Sequence, residues 1–338
     1  MKAIGYTKPL PIDDADALID FDTPRPEPGP RDLRVAVKAI SVNPVDFKVR
    51  NRAAPPAGET KILGYDAAGV VEAIGSDVSL FKPGDEVFYA GSIQRPGTNA
   101  EFHLVDERIV GRKPTTLSFA QAAALPLTSI TAWELLFDRL GVRPGKAYDP
   151  RTLLITGGAG GVGSILIQLA RKLTSLTVIA TASRPETETW CRALGANAVI
   201  DHSKPMKPQI DALKLPPVAL IASLIGTEQH FPALVEILAP QGKIALIDDP
   251  ASLNPMLLKL KSASLHWEAM FVRSTFTTAD MIAQHDLLNE VADLIEAGVL
   301  RTTLEQTFGA INAANLKRAH ALLESGKSVG KIVLEGWE

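Results

Sequence analysis

At 338 residues the chain exceeds what one core comfortably serves, so two domains are expected. Apolar residues make up 46% and charged residues 22%, an ordinary globular balance, and a formal net charge of -3 without any Lys/Arg cluster excludes a nucleic-acid surface as the main business. A single cysteine, Cys191, excludes an intrachain disulfide framework and a cysteine-built metal cluster.

Met1 to Leu10 lacks a basic start followed by an apolar stretch, and no uncharged apolar run approaches the ~18 residues of a spanning helix. A soluble, unprocessed, cytoplasmic protein with no membrane partner is expected. Residues 1 to about 120 are dense in short apolar runs, such as the alternating Leu33 to Ile40 and the stretch Gly69 to Gly75, and read as a barrel-like β region. Pro24, Pro26, Pro28 and Pro30 mark an extended connector, and Lys82-Pro-Gly-Asp85 a turn. From Ser118 to Leu140 the pattern is helical, interrupted by Pro126; Gly141 to Pro150 is turn-rich, and a domain boundary is expected near there.

Thr152 to Ala170 then reads as buried strand, glycine turn and amphipathic helix in succession. Leu153, Leu154 and Ile155 suit a strand covered on both faces, and Val162, Ile165, Leu166, Leu169 and Leu173 follow a helix period. Between them Gly158, Gly160 and Gly163 fit G-x-G-x-x-G: a tight turn at Gly158, close approach to a pyrophosphate at Gly160, close helix packing at Gly163. A purely structural strand-to-helix turn is the alternative. Strand candidates at 177–182, 197–201, 218–224, 243–247 and 264–271 alternate with helix candidates at 186–194 and 229–239, the pattern of a parallel doubly wound sheet. Two further helices, 279–297 and 312–325, and a strand 331–334 close the chain, and this piece is expected to return to the first domain.

Five stretches in order, Ser41 to Asp46, Gly64 to Val71, Gly84 to Val87, Leu125 to Trp133 and Gly157 to Ser164, resemble the medium-chain dehydrogenase/reductase superfamily. Within it the chain is similar to the quinone oxidoreductase branch, which includes proteins labelled zinc-type alcohol dehydrogenase-like. The resemblance implies an α/β fold in which a Rossmann doubly wound parallel sheet is inserted between the two parts of a GroES-like β-barrel catalytic domain, with the active site in the cleft. The corresponding divisions are 1–125 and 272–338 for the catalytic domain and 126–271 for the NADP-binding domain. In zinc-containing members a cysteine falls near position 43 and a histidine–glutamate pair at 65 and 66. Here those places hold Asn43, Tyr65 and Asp66, and the four cysteines of the structural zinc lobe are missing, so zinc is not expected.

The resemblance offers Asn43 as an amide contacting the nicotinamide ribose or the substrate oxygen; asparagine before Pro44 also suits a turn. Tyr65 could line the substrate pocket and donate to a carbonyl, or simply fill the core. Asp46 and Asp66 are read as holding backbone rather than titrating. Thr128 points toward the nicotinamide in the resembling family; its alternative is a hydroxyl bonded back to its own turn. Gly161 and Val162 join the three glycines as cofactor candidates at the helix start. Ser183 and Arg184 stand where the adenosine ribose is expected, with no acid to bind a 2'-hydroxyl. Ser183-Arg-Pro-Glu186 also reads as a capping box. Cys191 is read as a packing residue.

The function expected is an NADPH-dependent oxidoreductase transferring hydride to a quinone, without catalytic zinc. The alternatives are an enone or alkenal double-bond reductase and a non-catalytic NADPH-binding protein. A homodimer is expected through the strand 264–271, which would be last in its sheet.

Overall fold

Alternation of short apolar strands with amphipathic helices dictates the middle of the chain. The computed structural model describes residues 1–337. These divide into one unit of residues 1–130 with 271–337 and a second of Thr131–Met270.

In the second unit, six parallel strands lie in the order Ala198–Ile200, Thr177–Thr181, Thr152–Ile155, Val218–Ser223, Lys243–Leu246, Ser264–Trp267. Numbered along the chain, that order is 3-2-1-4-5-6, the doubly wound arrangement, with its switch point between the first strand and the fourth. Thr152–Ile155 is buried along its whole length, so only apolar side chains and Thr suit it. The helix Gly161–Leu173 presents Ile165, Leu166 and Leu169, all fully buried, on the predicted face. Leu154, Ile179, Ile221 and Ile244 from four neighbouring strands form the core with Phe231 and Leu234.

In the first unit, one sheet runs Leu304–Thr307, Lys331–Glu335, Asp32–Ser41, Asp66–Ile74, Glu86–Ala90, Val110–Arg112, and Phe102–Asp106 also pairs with Asp32–Ser41. A separate three-stranded sheet holds Ile19–Asp22, Lys2–Tyr6 and Lys61–Ile62. The late strand Lys331–Glu335 pairs antiparallel with the early one, Val333 opposite Ser41 and Leu334 opposite Ile40. Both ends of the sequence therefore build one sheet, whose core joins Val35, Val37, Ile40, Val71 and Val87 to Ile332 and Leu334. This is the α/β architecture expected, a Rossmann sheet inserted into a GroES-like domain. No helix among the described residues is long and apolar enough to cross a membrane.

Among the elements that the sequence pattern does not announce, three show why. The helix Met206–Leu213 carries Pro208 in its first turn, where no intrahelical N–H is lost. The short helix Val272–Phe276 contains no buried residue and so has no apolar face to read. Leu304–Thr307 is a largely exposed polar edge strand without apolar alternation. The strand expected over 264–271 stops at Trp267, where Glu268 turns into the interior.

Glu268 is 4% exposed and lies beside Glu134, which is 2% exposed. Arg139 Nε donates to Glu268 Oε2 at 2.8 Å. Burial, and then the neighbouring Glu134 charge, push the Glu268 carboxyl up to about 8. Because this pKa is raised above that of the unfolded chain, the protonated group favours the fold at low pH. That contribution is lost as pH climbs toward 8. Denaturant unfolding between pH 5.5 and pH 8.5 should show a loss of about 1 kcal/mol per pH unit that Glu268→Gln removes. An unchanged slope in the variant would refute the assignment.

Candidate functional site

The second unit holds the glycine turn at the carboxyl end of Thr152–Ile155, beside the switch point, where ligands of doubly wound sheets bind. Gly157, and not Gly158, takes the left-handed conformation, with φ of +65°. Gly158 is glycine for packing: a Cβ there would lie 2.8 Å from Ala180 Cβ and 3.0 Å from Cys191 Sγ. At Gly163 a Cβ would meet the carbonyl oxygens of Gly157 at 2.5 Å and Gly158 at 2.7 Å, so the helix can seat on the turn only without a side chain. Gly160 differs. It caps the helix with an ordinary φ of -72°, and an added Cβ would meet only Gly157 O at 3.4 Å. The fold itself makes little demand for glycine there. What the missing side chain leaves is open backbone at a helix N-terminus, a cradle that fits a pyrophosphate.

Gly161 and Val162 are the first two residues of that helix, both partly exposed. Ser183 is exposed just past the strand Thr177–Thr181, and Arg184 follows it. The capping box expected from Ser183 is not formed: Arg184 is the N-cap of the helix Pro185–Ala193, and Thr187 Oγ1 accepts the Arg184 N–H at 3.2 Å. Pro at the next position shifts the helix start by one residue, so Ser183 has no capping task. The Arg184 guanidinium, 35% exposed, pairs with Glu186 at 3.3 Å, a surface contact of little strength. Cys191 is a packing residue: burial pushes its thiol up to about 12, and Trp190 beside it donates from Nε1 to Ser164 Oγ at 2.8 Å.

The first unit gathers Asn43, Tyr65, Asp66 and Thr128. Asn43 is the N-cap of the helix Pro44–Arg52, its backbone N–H bonded to Asp46 Oδ2 at 2.7 Å. Its side chain is 1% exposed; Nδ2 donates to Asp66 Oδ2 at 2.8 Å and to Ser41 O at 3.4 Å. Asp66, fully buried, accepts the Leu127 N–H through Oδ1 at 2.7 Å and so caps the helix Pro126–Trp133 that carries Thr128. Thr128 Oγ1 donates to Leu125 O at 3.1 Å, the local bond that competes with a cofactor role. Tyr65 follows Gly64, whose φ of +100° and contact with the Asn99 side chain both require glycine. Tyr65 is 1% exposed, packs edge-on to Phe271 at 5.2 Å, and its hydroxyl has no hydrogen-bond partner among the described residues. Burial, then the Asp46 charge, raise its phenol above the ordinary range.

The residue that sequence reasoning missed is Lys331. It is 3% exposed, and its ammonium donates to Val42 O at 2.6 Å and Asn43 Oδ1 at 2.5 Å while pairing with Asp66 Oδ2 at 3.2 Å. Burial lowers its pKa, opposed by the Asp66 charge; burial raises that of Asp66, opposed by Lys331. The signal was one ionisable residue entering the apolar run Ile332-Val-Leu334, which demands a buried partner.

These donors do not fit a catalytic zinc. Neither a thiolate nor an imidazole stands at 43, 65 or 66, both Asp66 oxygens are engaged, and an ammonium already supplies the positive charge. Among the described residues no group of three His, Cys, Asp or Glu side chains is placed to hold a metal.

A Rossmann sheet with this glycine turn, in a chain whose ends share a GroES-like sheet, defines a nicotinamide-nucleotide-binding oxidoreductase fold. Residues 29–126 match the alcohol dehydrogenase GroES-like domain family and residues 194–334 the zinc-binding dehydrogenase family. A zinc-type alcohol dehydrogenase-like protein of Staphylococcus aureus is 41% identical, with 99% of each chain covered. A Rhizobium etli protein assigned as a zinc-dependent alcohol dehydrogenase is 58% identical, with a TM-score of 0.96 and coverage of 100% of this chain and 98% of that one. A quinone oxidoreductase of Pseudomonas syringae superposes with a TM-score of 0.83 at 27% identity, over 99% of both chains. The chain belongs to the medium-chain dehydrogenase/reductase superfamily.

The glycine geometry separates two substitutions. Gly163→Ala should destabilise by about 1–3 kcal/mol, because two carbonyl oxygens must move. Gly160→Ala should leave the thermal midpoint within about 2 °C of the parent, and calorimetry of both variants checks the contrast.

Proposed function

We propose that this chain is an NADPH-dependent oxidoreductase that reduces quinones without catalytic zinc. The observation that carries the reading is the Tyr65 hydroxyl, a donor without a hydrogen-bond partner among the described residues, beside a cluster in which Asn43, Asp66 and Lys331 bond one another. A nicotinamide cofactor, when bound, would supply the hydride. Alcohol oxidation would require a group that stabilises an alkoxide, and the Lys331 ammonium is spent on Val42, Asn43 and Asp66. A quinone asks for less: hydride addition yields a delocalised hydroquinone anion that water protonates, so one or two donors suffice. Tyr65 donates to the acceptor oxygen. Asn43, with both amide protons directed to Asp66 and Ser41, shapes the surroundings of that oxygen.

Gly158, Gly160, Gly161, Val162 and Gly163 would hold the pyrophosphate at the helix start, and Thr128 is the candidate contact for the nicotinamide half. Ser183 and Arg184 meet the adenosine 2'-phosphate, where the charge on Arg184 favours NADPH by a charge-assisted hydrogen bond. The similarity to the Pseudomonas quinone oxidoreductase supports the substrate class.

The test offers NADPH or NADH with a simple quinone, an enone, or a primary alcohol with NADP in reverse. Saturable quinone reduction by a preparation free of stoichiometric zinc is expected. Arg184→Ala should raise the KM for NADPH about ten- to a hundredfold and leave that for NADH unchanged. Gly160→Ala should weaken NADPH binding despite its normal stability. Alcohol oxidation without quinone reduction overturns the mechanism, enone reduction alone moves the assignment to a double-bond reductase, and no turnover at all indicates a passive NADPH binder.

The chain also pairs with a second copy along Ser264–Trp267, the last strand of the six. Trp267 is 58% exposed there, and the adjoining Met256 and Leu260 are 64% and 97% exposed. Light scattering should return a dimer at micromolar concentration, and a monomer rules this out.

A further inference from the structure

We infer that Lys331, acting through Asp66, is a positioning residue that aims the Tyr65 hydroxyl; this rests on the proposal that Tyr65 donates to the acceptor. The three ammonium protons have three partners, two of them oxygens whose orientation they fix: Asn43 Oδ1 at 2.5 Å and Asp66 Oδ2 at 3.2 Å. With its carbonyl against an ammonium and its NH2 against a carboxylate, the Asn43 amide cannot flip without setting like against like at both ends.

The consequence for Tyr65 runs through its neighbours. On one side Gly64 N–H bonds to Asp46 Oδ1 at 3.0 Å, and the other oxygen of that carboxylate takes the Asn43 N–H at 2.7 Å. On the other side Asp66 is fixed by Lys331, Asn43 and Leu127 N–H. The Tyr65 backbone is thus pinned at the preceding and the following residue by two buried carboxylates that share Asn43. Phe271, edge-on at 5.2 Å, holds the ring. The arrangement spends its charges on holding still a residue whose own hydroxyl is left unbonded among the described residues. A pair serving stability alone gains nothing from that, since replacing a buried ion pair by neutral groups is often harmless to the fold.

The experiment is a coupling measurement. Tyr65→Phe is made in the parent and in the variant Lys331→Met/Asp66→Asn, where the charges are removed together. Turnover of a simple quinone is followed, with NADPH binding read by its fluorescence and folding by the thermal midpoint. In the parent, Tyr65→Phe should reduce quinone kcat/KM about ten- to a thousandfold, with NADPH affinity within about twofold. In the neutralised variant the same change should cost less than about threefold, because an unaimed hydroxyl has little left to lose. An equal cost in both backgrounds overturns the positioning role while leaving the proposed function standing. No cost in the parent removes Tyr65 from the reaction and this inference with it. If the neutralised variant does not fold, Lys331→Arg replaces it: a planar guanidinium keeps the charge and not the three-point geometry, so the Tyr65→Phe penalty should again fall below about threefold. An undiminished penalty there also overturns the inference.

Discussion

A carboxylate taken wholly out of water must be satisfied at every lone pair, and in this chain Asp66 imposes that requirement on the first unit. Its partners come from residues 43, 127 and 331, segments that share no local structure, so the backbone of each is set by where a single charge can be neutralised. The same contacts define a helix start at Pro126, the cap of the helix at Pro44 and the entry of the last strand. Folding of this unit and the positioning of its buried polar cluster are in that sense one event.

The second unit is governed by steric exclusion. Its turn is shaped by what a Cβ would strike: backbone oxygens at Gly163, side chains at Gly158, and almost nothing of the chain itself at Gly160. Vacancy at Gly160 is therefore the one place in the motif where the fold leaves room for something else to explain the residue. The two units thus follow different constraints: steric exclusion shapes the glycine turn of one, and the satisfaction of a buried carboxylate organises the polar cluster of the other.

Much of this was legible beforehand because periodicity and glycine spacing are local signals. The strands around Leu154, Ile179, Ile221 and Ile244, and the helix face of Ile165, Leu166 and Leu169, follow directly from apolar patterning. Polar elements escaped, as at Leu304–Thr307, since an exposed edge strand carries no alternation. The motif points to Gly158 as the turn glycine while the left-handed residue is Gly157, because the motif fixes spacing and does not say which peptide turns over. Lys331 is invisible for a different reason: its meaning depends on a partner, Asn43, that lies 288 residues away along the chain, and no window on the sequence contains both.

The pairing of Lys331–Glu335 with Asp32–Ser41 also sets an order of events during synthesis. Residues 131–270 form a continuous piece and can fold as soon as they leave the ribosome. The first unit cannot. Its opening strands must wait, with part of their ladder unpaired, until the last strand emerges almost three hundred residues later, and the cation that neutralises Asp66 arrives only with that strand. During the interval the nascent chain carries an unfinished sheet edge and an unpaired acidic core, so this is when it most needs protection from pairing with the wrong neighbour.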